Sequence, residues 1–212
     1  TQNDWMRIAL NARHMLVDRL EGLGIVTDEV MGRMAKSHPE DQFDYYFDRK
    51  YDQRFVHSTN VTPHTKHPVT RLPILIRYWL DHPVRKDVVK QKANVFFSPD
   101  GFIPLGMGIP KVSMVHDVAY LRYPEHLQPR IRSFYKKWMP RYLAYTDHII
   151  TVSEFSKREI IAGYNIPADK ISVVYNGITN AYKPVSEEQK KLTRDRYTKG
   201  RPYFVYLGAI HP

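Results

Sequence analysis

The chain alternates short runs rich in β-branched and aromatic residues with longer runs of helical periodicity. This alternation is typical of α/β proteins, in which helices cover a mostly parallel sheet. The predicted strands are Met6–Asn11, Phe43–Phe47, Val95–Ser98, Lys111–His116, His148–Val152 and Ile171–Tyr175. The central runs are apolar throughout, as expected for strands that are buried on both faces. We therefore predict an α/β fold with a parallel sheet.

Helical periodicity predicts the intervening elements. The predicted helices span about residues 24–37, 71–92 with a break near His82-Pro83, 128–145 and 154–163, and residues 60–68 are predicted to be a loop. A charged helix then covers residues 186–200, and a turn follows at Gly200-Arg201-Pro202. The run "YFVYLG" from Tyr203 predicts a new strand with nothing after it to pair with. We expect that the chain is truncated inside a second domain.

Composition narrows the classes of function. The 212 residues include no Cys, which excludes disulfides, thiolate metal sites and cysteine nucleophiles and mildly favours the cytoplasm. No apolar run approaches the length needed to span a bilayer. The net charge of +10 favours an anionic partner, which can be a nucleic acid, an anionic lipid surface or a phosphorylated small molecule.

Polar residues or glycines follow five of the predicted strands. Ligands of open parallel sheets bind beyond the carboxyl ends of the strands, so these positions are candidate site residues. They are Asn11 with the loop to Gly24, Pro99-Asp100-Gly101, His116-Asp117, Ser153-Glu154 and Asn176-Gly177. Each one taken alone is also what an ordinary surface loop contains. Ser153, for example, is equally explained as the N-cap of the following helix, with Glu154 in its first turn.

The glycines in "LEGLG" predict a close backbone approach to a diphosphate. Gly22 and Gly24 precede a predicted helix, whose N-terminus supplies N–H donors and positive potential. A dinucleotide-binding turn would have a third glycine where Thr27 stands and would follow its strand directly. Asp48, after the second strand, keeps an NAD-dependent enzyme open as an alternative.

His116 ends the apolar run "VSMV" and is followed by Asp117. Strand alternation places these two side chains on opposite faces, which argues against a His-Asp relay. The imidazole can bind a substrate hydroxyl or simply complete the polar edge of the core. A metal site is not expected: His57, His64 and His67 match no standard ligand spacing, and the chain has no Asp-x-Asp.

The predicted helix over residues 128–145 combines an aromatic face with a basic one. Its core face consists of Ile131, Phe134, Tyr135, Trp138, Tyr142 and Tyr145. The basic side chains are Arg130, Arg132, Lys136, Lys137 and Arg141. They form either a solvated surface or a weak, salt-sensitive contact with an anionic membrane. Pro140 is expected to kink this helix or to end its first half.

Several segments, read in order, resemble glycosyltransferase family 4, whose members are retaining enzymes of GT-B fold. They are "RIALNAR" with "LEGLG", "FFSPDG", "KVSMVHDVAYLRYPE", "RYLAYTDHIITVSEFSKREI", "KISVVYNGI" with "YKP", and "YFVYLGAIHP". The resemblance implies a Rossmann-like acceptor-binding domain over residues 1–180, with helices on both faces of its sheet. Residues 181–202 would be a linker helix and turn, and residues 203–212 the first strand of a truncated donor-binding domain.

The same resemblance implies roles for individual residues. His116 matches the family's histidine near the transferred sugar, and the loop with Gly22 and Gly24 would close on the donor diphosphate. The further candidates for donor or acceptor contacts are Asp100, Tyr120, Ser153, Glu154 and Asn176. Asp117 is expected to shape the turn.

The expected function is therefore transfer of a hexosyl-type sugar from a nucleotide-sugar donor to a saccharide or lipid-linked acceptor, with retention and without metal or cofactor. We expect a cytoplasmic protein of polysaccharide biosynthesis that contacts the membrane peripherally, and we expect the fragment alone to be inactive. The alternatives are a basic module that binds anionic lipid or nucleic acid, and the NAD-dependent enzyme.

Overall fold

A computed structural model describes residues 5–18, 20–178 and 182–206 of the chain. Its centre is a seven-stranded sheet in which every neighbouring pair is parallel, in the order β3-β2-β1-β4-β5-β6-β7. The strands are β1 (Arg7–Asn11), β2 (Gln42–Phe47), β3 (Val61–Thr65), β4 (Val95–Ser98), β5 (Lys111–Val115), β6 (His148–Thr151) and β7 (Ile171–Val173). The predicted parallel α/β sheet is confirmed.

Helices connect the strands. They are α1 (Gly22–Ser37), α2 (Pro73–Trp79), α3 (Arg85–Lys90), α4 (Pro129–Tyr145), α5 (Glu154–Tyr164) and α6 (Glu187–Thr198). A π-helical segment, Leu80–Val84, joins α2 to α3, and 3₁₀ turns cover Gln53–Phe55, Ala119–Leu121, Pro124–His126 and Ala168–Lys170. None of the helices in the described residues has the length and apolarity that crossing a membrane requires.

Helices cover both faces of the sheet, which makes the fold Rossmann-like as predicted. Alternate residues of β1 enter different cores: Ala9 packs with residues of α2 to α5, whereas Ile8 and Leu10 pack with α1. This division follows from strand geometry, because successive side chains point to opposite faces. Both faces of the central strands are therefore buried, which explains their uninterrupted apolar sequence.

Of two sequence predictions about proline-containing segments, one is wrong and one is confirmed. Residues 61–65, predicted to be part of a loop, form β3. Pro63 is tolerated there because β3 lies at the edge of the sheet, where one side of the strand needs no hydrogen-bonding partner. The break predicted near His82-Pro83 is present as the π-helical segment Leu80–Val84, which separates α2 from α3.

Of the two outcomes predicted at Pro140 of helix α4, a kink or an end of its first half, the end is not observed. The helix runs through Pro140 without ending there. The aromatic core face is confirmed for Phe134, Trp138 and Tyr142, which are buried, but Tyr145 is 38% exposed. All five predicted cations of this helix are exposed.

The glycine pair lies in the first turn of α1, not in a loop before it, which corrects the predicted start at Gly24. A Cβ on Gly24 would lie 2.5 Å from the carbonyl oxygen of His14 and 2.8 Å from a methyl group of Leu20. A Cβ on Gly22 would meet nothing within 4 Å. Gly24 is thus required where α1 packs against the segment after β1.

The chain divides into two compact units, residues 1–176 and 177–212. In the second unit the predicted helix is present as α6, capped by Ser186 and followed by Gly200 with φ of +80°. Tyr203–Tyr206, predicted to begin a strand, are not in a strand in the described part of the chain. The rest of that predicted strand, residues 207–212, lies outside the described residues.

The two glycines provide a matched stability test. We expect Gly24→Ala to lower the free energy of unfolding by about 1–3 kcal/mol, the usual effect of overpacking. Gly22→Ala should leave stability unchanged or raise it by up to about 1 kcal/mol through helix propensity. Urea denaturation of both variants measures this, and equal effects would contradict the packing role of Gly24.

Candidate functional site

A cleft of about 220 Å³ opens at the carboxyl ends of β1, β4 and β5. Strand order reverses between β1 and β4, and such a switch point is where open α/β sheets bind ligands. The polar side chains that line the cleft are Arg13, His14, Asp100, His116, Asp117 and Tyr120.

Asp100 is the centre of the hydrogen bonds in the cleft, and its side chain is only 4% exposed. Its Oδ2 atom forms an ion pair with Arg13 and lies 2.8 Å from Nε2 of His14. Its Oδ1 atom accepts hydrogen bonds from Nδ2 of Asn11 at 3.1 Å and from Oγ of Ser98 at 2.7 Å. The carboxylate therefore fastens the segment after β1 to the segment after β4.

The charge of Asp100 is stabilised by these neighbours. Burial by itself would raise the pKa of this carboxyl, but the Arg13 guanidinium and the hydrogen bonds from His14 and Ser98 hold the pKa well below its usual range. Arg13 also lies over the ring of Phe102, with 5.5 Å from Cζ to the ring centroid. The floor of the cleft is thus a fixed, buried ion pair.

His116 follows β5 and lines the same cleft. Burial lowers the pKa of its imidazole, against the raising effects of a hydrogen bond to the Pro99 carbonyl and of the charges of Asp117 and Asp100. The ring is therefore neutral at pH 7. Its Nε2 atom is buried and has no hydrogen-bond partner among the described residues. A neutral imidazole with one unsatisfied nitrogen is suited to bind a hydroxyl group of a ligand.

Asp117 plays the structural role expected of it. Its Oδ1 atom accepts a hydrogen bond from the backbone N–H of Ala119 at 2.9 Å, which fixes the turn after His116. Tyr120 lines the cleft, and its hydroxyl lies 2.6 Å from that of Tyr164. Burial raises the pKa of Tyr120, so its hydroxyl stays protonated and uncharged.

The structure does not bring all the predicted residues to this cleft. Ser153 caps α5 by accepting a hydrogen bond from the N–H of Ser156 at 3.0 Å, so the expected N-cap is confirmed. Glu154 is exposed in the first turn of α5, and Asn176 is exposed beyond β7. Gly22 and Gly24 do not line the cleft, although Leu23 between them does.

Sequence reasoning missed Arg13 and His14. Both were included in a loop leading to Gly24, whereas they follow the first strand within three residues and contact Asp100. The signal that was available is the run "NARH" directly after an apolar strand, which places three polar side chains at the carboxyl edge of the sheet.

Asp48 is not free to bind a ribose, as an NAD-dependent enzyme would require. The buried carboxylate accepts hydrogen bonds from Nε and Nη2 of Arg49 at 2.7 and 2.8 Å. The backbone N–H and hydroxyl of Thr70 each donate to Oδ2 at 2.6 Å. Both carboxylate oxygens are thus occupied within the protein.

The histidines considered for a metal site pair with different carboxylates. His57 lies 2.6 Å from Asp28, and His64 lies 2.8 Å from Asp44. Within the part of the chain that the structure describes, the one group with suitably close ligand atoms is His38, Glu40 and Asp41. This group lies between α1 and β2, at the amino ends of the strands, whereas the cleft lies at their carboxyl ends.

The fold is that of a Rossmann-like domain, with a candidate ligand cleft at the switch point of its parallel sheet. The family model of Glycosyltransferase Family 4 matches residues 16–181, well over half of the chain. The chain belongs to glycosyltransferase family 4, as the sequence motifs predicted.

Known relatives agree with this assignment. The O-antigen chain mannosyltransferase B of Escherichia coli is 30% identical over 147 residues, which are 67% of this chain and 38% of that protein. The galactosyltransferase WaaB of the lipopolysaccharide outer core, in its apo form, has a TM-score of 0.54 at 16% identity and covers 82% of this chain and 46% of its own. HepE of Anabaena, crystallised with UDP and glucose, has a TM-score of 0.54 at 18% identity. The match covers 90% of this chain and 50% of the HepE chain. The chain thus spans half or less of the length of these relatives.

Removal of the Asp100 charge should destabilise the protein. We expect Asp100→Asn to cost about 3–5 kcal/mol at pH 7, because it leaves the Arg13 guanidinium buried without a counter-charge. Folding depresses the pKa of Asp100, so its contribution is complete above about pH 4, the ordinary pKa of aspartate, and is lost as the pH falls further.

Urea denaturation between pH 7 and pH 3 measures the effect. The difference between the two proteins should narrow below about pH 4, where the wild-type carboxyl begins to lose its advantage. Asp117→Asn, at an exposed carboxylate, is the matched control and should change stability by under about 0.5 kcal/mol. A small, pH-independent effect of Asp100→Asn would show that the ion pair does not support the fold.

Proposed function

We propose that this chain is the N-terminal part of an enzyme that transfers a sugar from a nucleoside-diphosphate donor to a saccharide or lipid-linked acceptor. Family membership supports the reaction class. The E. coli relative is named as a mannosyltransferase of a polysaccharide chain, and HepE was crystallised with UDP and glucose. The principal structural observation is the neutral His116, which lines the cleft at the switch point of the sheet and whose buried Nε2 has no hydrogen-bond partner among the described residues.

In this proposal His116 acts by position and electrostatics. Its Nε2 hydrogen-bonds a hydroxyl of the reacting sugar and so holds the ring in the orientation required for transfer. The buried pair of Arg13 and Asp100 keeps the cleft floor rigid, so the cleft does not need to reorganise when charge develops during transfer. Tyr120, which is uncharged, lies on the same wall of the cleft.

The finer features of the reaction come from the family resemblance. We propose a hexosyl donor, retention of the anomeric configuration, no metal and no further cofactor. The segment with Gly22 and Gly24 at the start of α1 is proposed to lie against the donor diphosphate, and Ser153, Glu154 and Asn176 to serve a more distant part of a ligand. NMR of the product anomer and assays in the presence of EDTA measure retention and metal independence. An inverted product, or loss of activity in EDTA, would refute the corresponding feature.

We also propose that α4 makes a weak contact with an anionic membrane surface, which would place the protein at the inner face of the membrane. Three cations approach the ring of Trp138: Cζ of Arg77 lies 3.8 Å, Cζ of Arg141 4.7 Å and Nζ of Lys137 5.5 Å from its centroid. Helix α4 contains no acidic residue, so its own sequence does not neutralise these charges. Each cation that reaches the leaflet contributes about 1 kcal/mol.

The first test uses the full-length enzyme. His116→Ala should lower kcat about 10²-fold or more, the usual effect of removing one preorganised hydrogen-bonding group, while leaving the circular dichroism spectrum unchanged. His126→Ala, at an exposed histidine outside the cleft, should retain normal kcat. Residues 1–212 alone should show no turnover. A near-normal rate for His116→Ala would remove this residue from the site.

The second test concerns the membrane contact. We expect Lys137→Gln with Arg141→Gln to weaken co-sedimentation with phosphatidylglycerol vesicles by about 2 kcal/mol, and salt to weaken wild-type binding. Lys190→Gln with Lys191→Gln removes equal charge from α6, where both lysines pair with carboxylates, and should have little effect. Equal loss in both double variants would indicate only diffuse attraction.

A further inference from the structure

A second recess, of about 610 Å³, lies between the α2–α3 segment and the loop before β5. We call it the cationic recess. The residues that line it include His67, Tyr78, His82, Arg85, Lys86 and Gly106. It shares no lining residue with the cleft, and no Asp or Glu lines it. The recess is therefore a separate surface whose charge has one sign.

The acidic residues of the same segment point into the protein. Oδ2 of Asp81 pairs with Nε of Arg77 at 3.2 Å, and its Oδ1 accepts a hydrogen bond from the N–H of Leu105 at 2.8 Å. Asp87 pairs with Nζ of Lys66 at 2.8 Å and accepts a hydrogen bond from Tyr46. Because both carboxylates form their ion pairs and hydrogen bonds on the inner side of the segment, they do not neutralise the cations on its outer side.

Arg85 is held in place at the wall of the recess. Its Nη1 atom donates a hydrogen bond to the carbonyl of Leu105 at 3.0 Å. The next residue, Gly106, has φ of +75°, and a Cβ there would lie 2.9 Å from Nη1 of Arg85. Glycine thus permits both the turn and the close approach of the guanidinium. Lys86 beside it is exposed and forms no ion pair with the described residues.

Planar side chains complete the recess. The ring centroids of Tyr78 and His82 lie 4.7 Å apart, and Tyr78 is 52% exposed. His82 belongs to the π-helical segment, an irregularity that often marks a functional position in a helix. The recess therefore offers a hydrogen-bonded guanidinium, an exposed ammonium group and an aromatic surface next to each other.

We propose that the cationic recess binds a phosphate group attached to an organic moiety. The guanidinium of Arg85 has the fork geometry that matches phosphate oxygens, and Lys86 adds a point charge. Tyr78 and His82 provide a flat surface for the attached sugar or glycerol. The phosphate belongs either to a soluble sugar phosphate or to a lipid headgroup, and both present the same group to the recess.

The experiment titrates this chain with mannose 1-phosphate and, separately, with dihexanoyl phosphatidylglycerol below its aggregation concentration, observed by amide NMR. We expect shifts at residues 67, 78–86 and 105–108 with at least one probe. Arg85→Gln with Lys86→Gln should weaken that binding at least about tenfold, because charge-assisted hydrogen bonds to phosphate are lost. Lys190→Gln with Lys191→Gln removes equal charge from α6, outside the recess, and should bind as the wild type does.

A second pair of variants shows whether a loss of binding results from misfolding or from a change in the recess itself. Val89 lines the recess and is 59% exposed, so Val89→Glu adds a negative charge there without disturbing the core, and it should abolish binding. Val30→Glu, at a 37% exposed position on α1, should not. Binding of the sugar phosphate alone, or of the lipid alone, supports the proposal and identifies the source of the phosphate. Binding of neither probe, or equal weakening in the control variants, overturns it.

Discussion

The buried carboxylate of Asp100 is the interaction on which the geometry of the cleft depends. An ionised carboxylate remains stable at 4% exposure only when donors surround it, and here they come from two strand ends. Asn11 ends β1, Arg13 and His14 follow it, and Ser98 ends β4, so their bonds to Asp100 fix the two segments that flank the switch point. The same charge acts on His116, where it partly offsets the effect of burial on the pKa of the imidazole. Removal of Asp100 would therefore alter both the shape and the charge of the cleft.

The net charge of +10 is distributed unevenly over the molecule. In the cleft the positive charge of Arg13 is matched by the negative charge of Asp100. Along the α2–α3 segment, Asp81 and Asp87 form ion pairs on the inner side of the segment. They therefore do not neutralise the cations on its outer side. Helix α4 has no acid at all. Two surfaces outside the cleft thus carry positive charge, and in both the reason is the placement of the acids as much as the number of cations.

The sequence predicted the elements well where hydrophobic periodicity was strong. The strands β1, β2, β4, β5 and β6 and the helices α4, α5 and α6 begin and end within two residues of their predicted bounds. The prediction failed at β3, because an edge strand that contains Pro63 has the composition of a loop. At α1 the helix begins two residues before its predicted start, so Gly22 and Gly24 lie in its first turn instead of preceding it. Among the site residues, His116, Asp100 and Tyr120 line the cleft, whereas Ser153 is engaged as a helix cap.

The sequence by itself determined the alternation of strands and helices, the family, and the polar character of each strand end, because these are local properties of consecutive residues. Only the tertiary structure decided which strand ends meet. Arg13 and Asp100 are 87 residues apart and form an ion pair because β1 and β4 are neighbours in the sheet. The tertiary structure likewise decided which charges are neutralised, because hydrogen-bond partners from distant segments occupy Asp48, Asp81 and Asp87. Such pairings depend on the order of the strands, which no local pattern specifies.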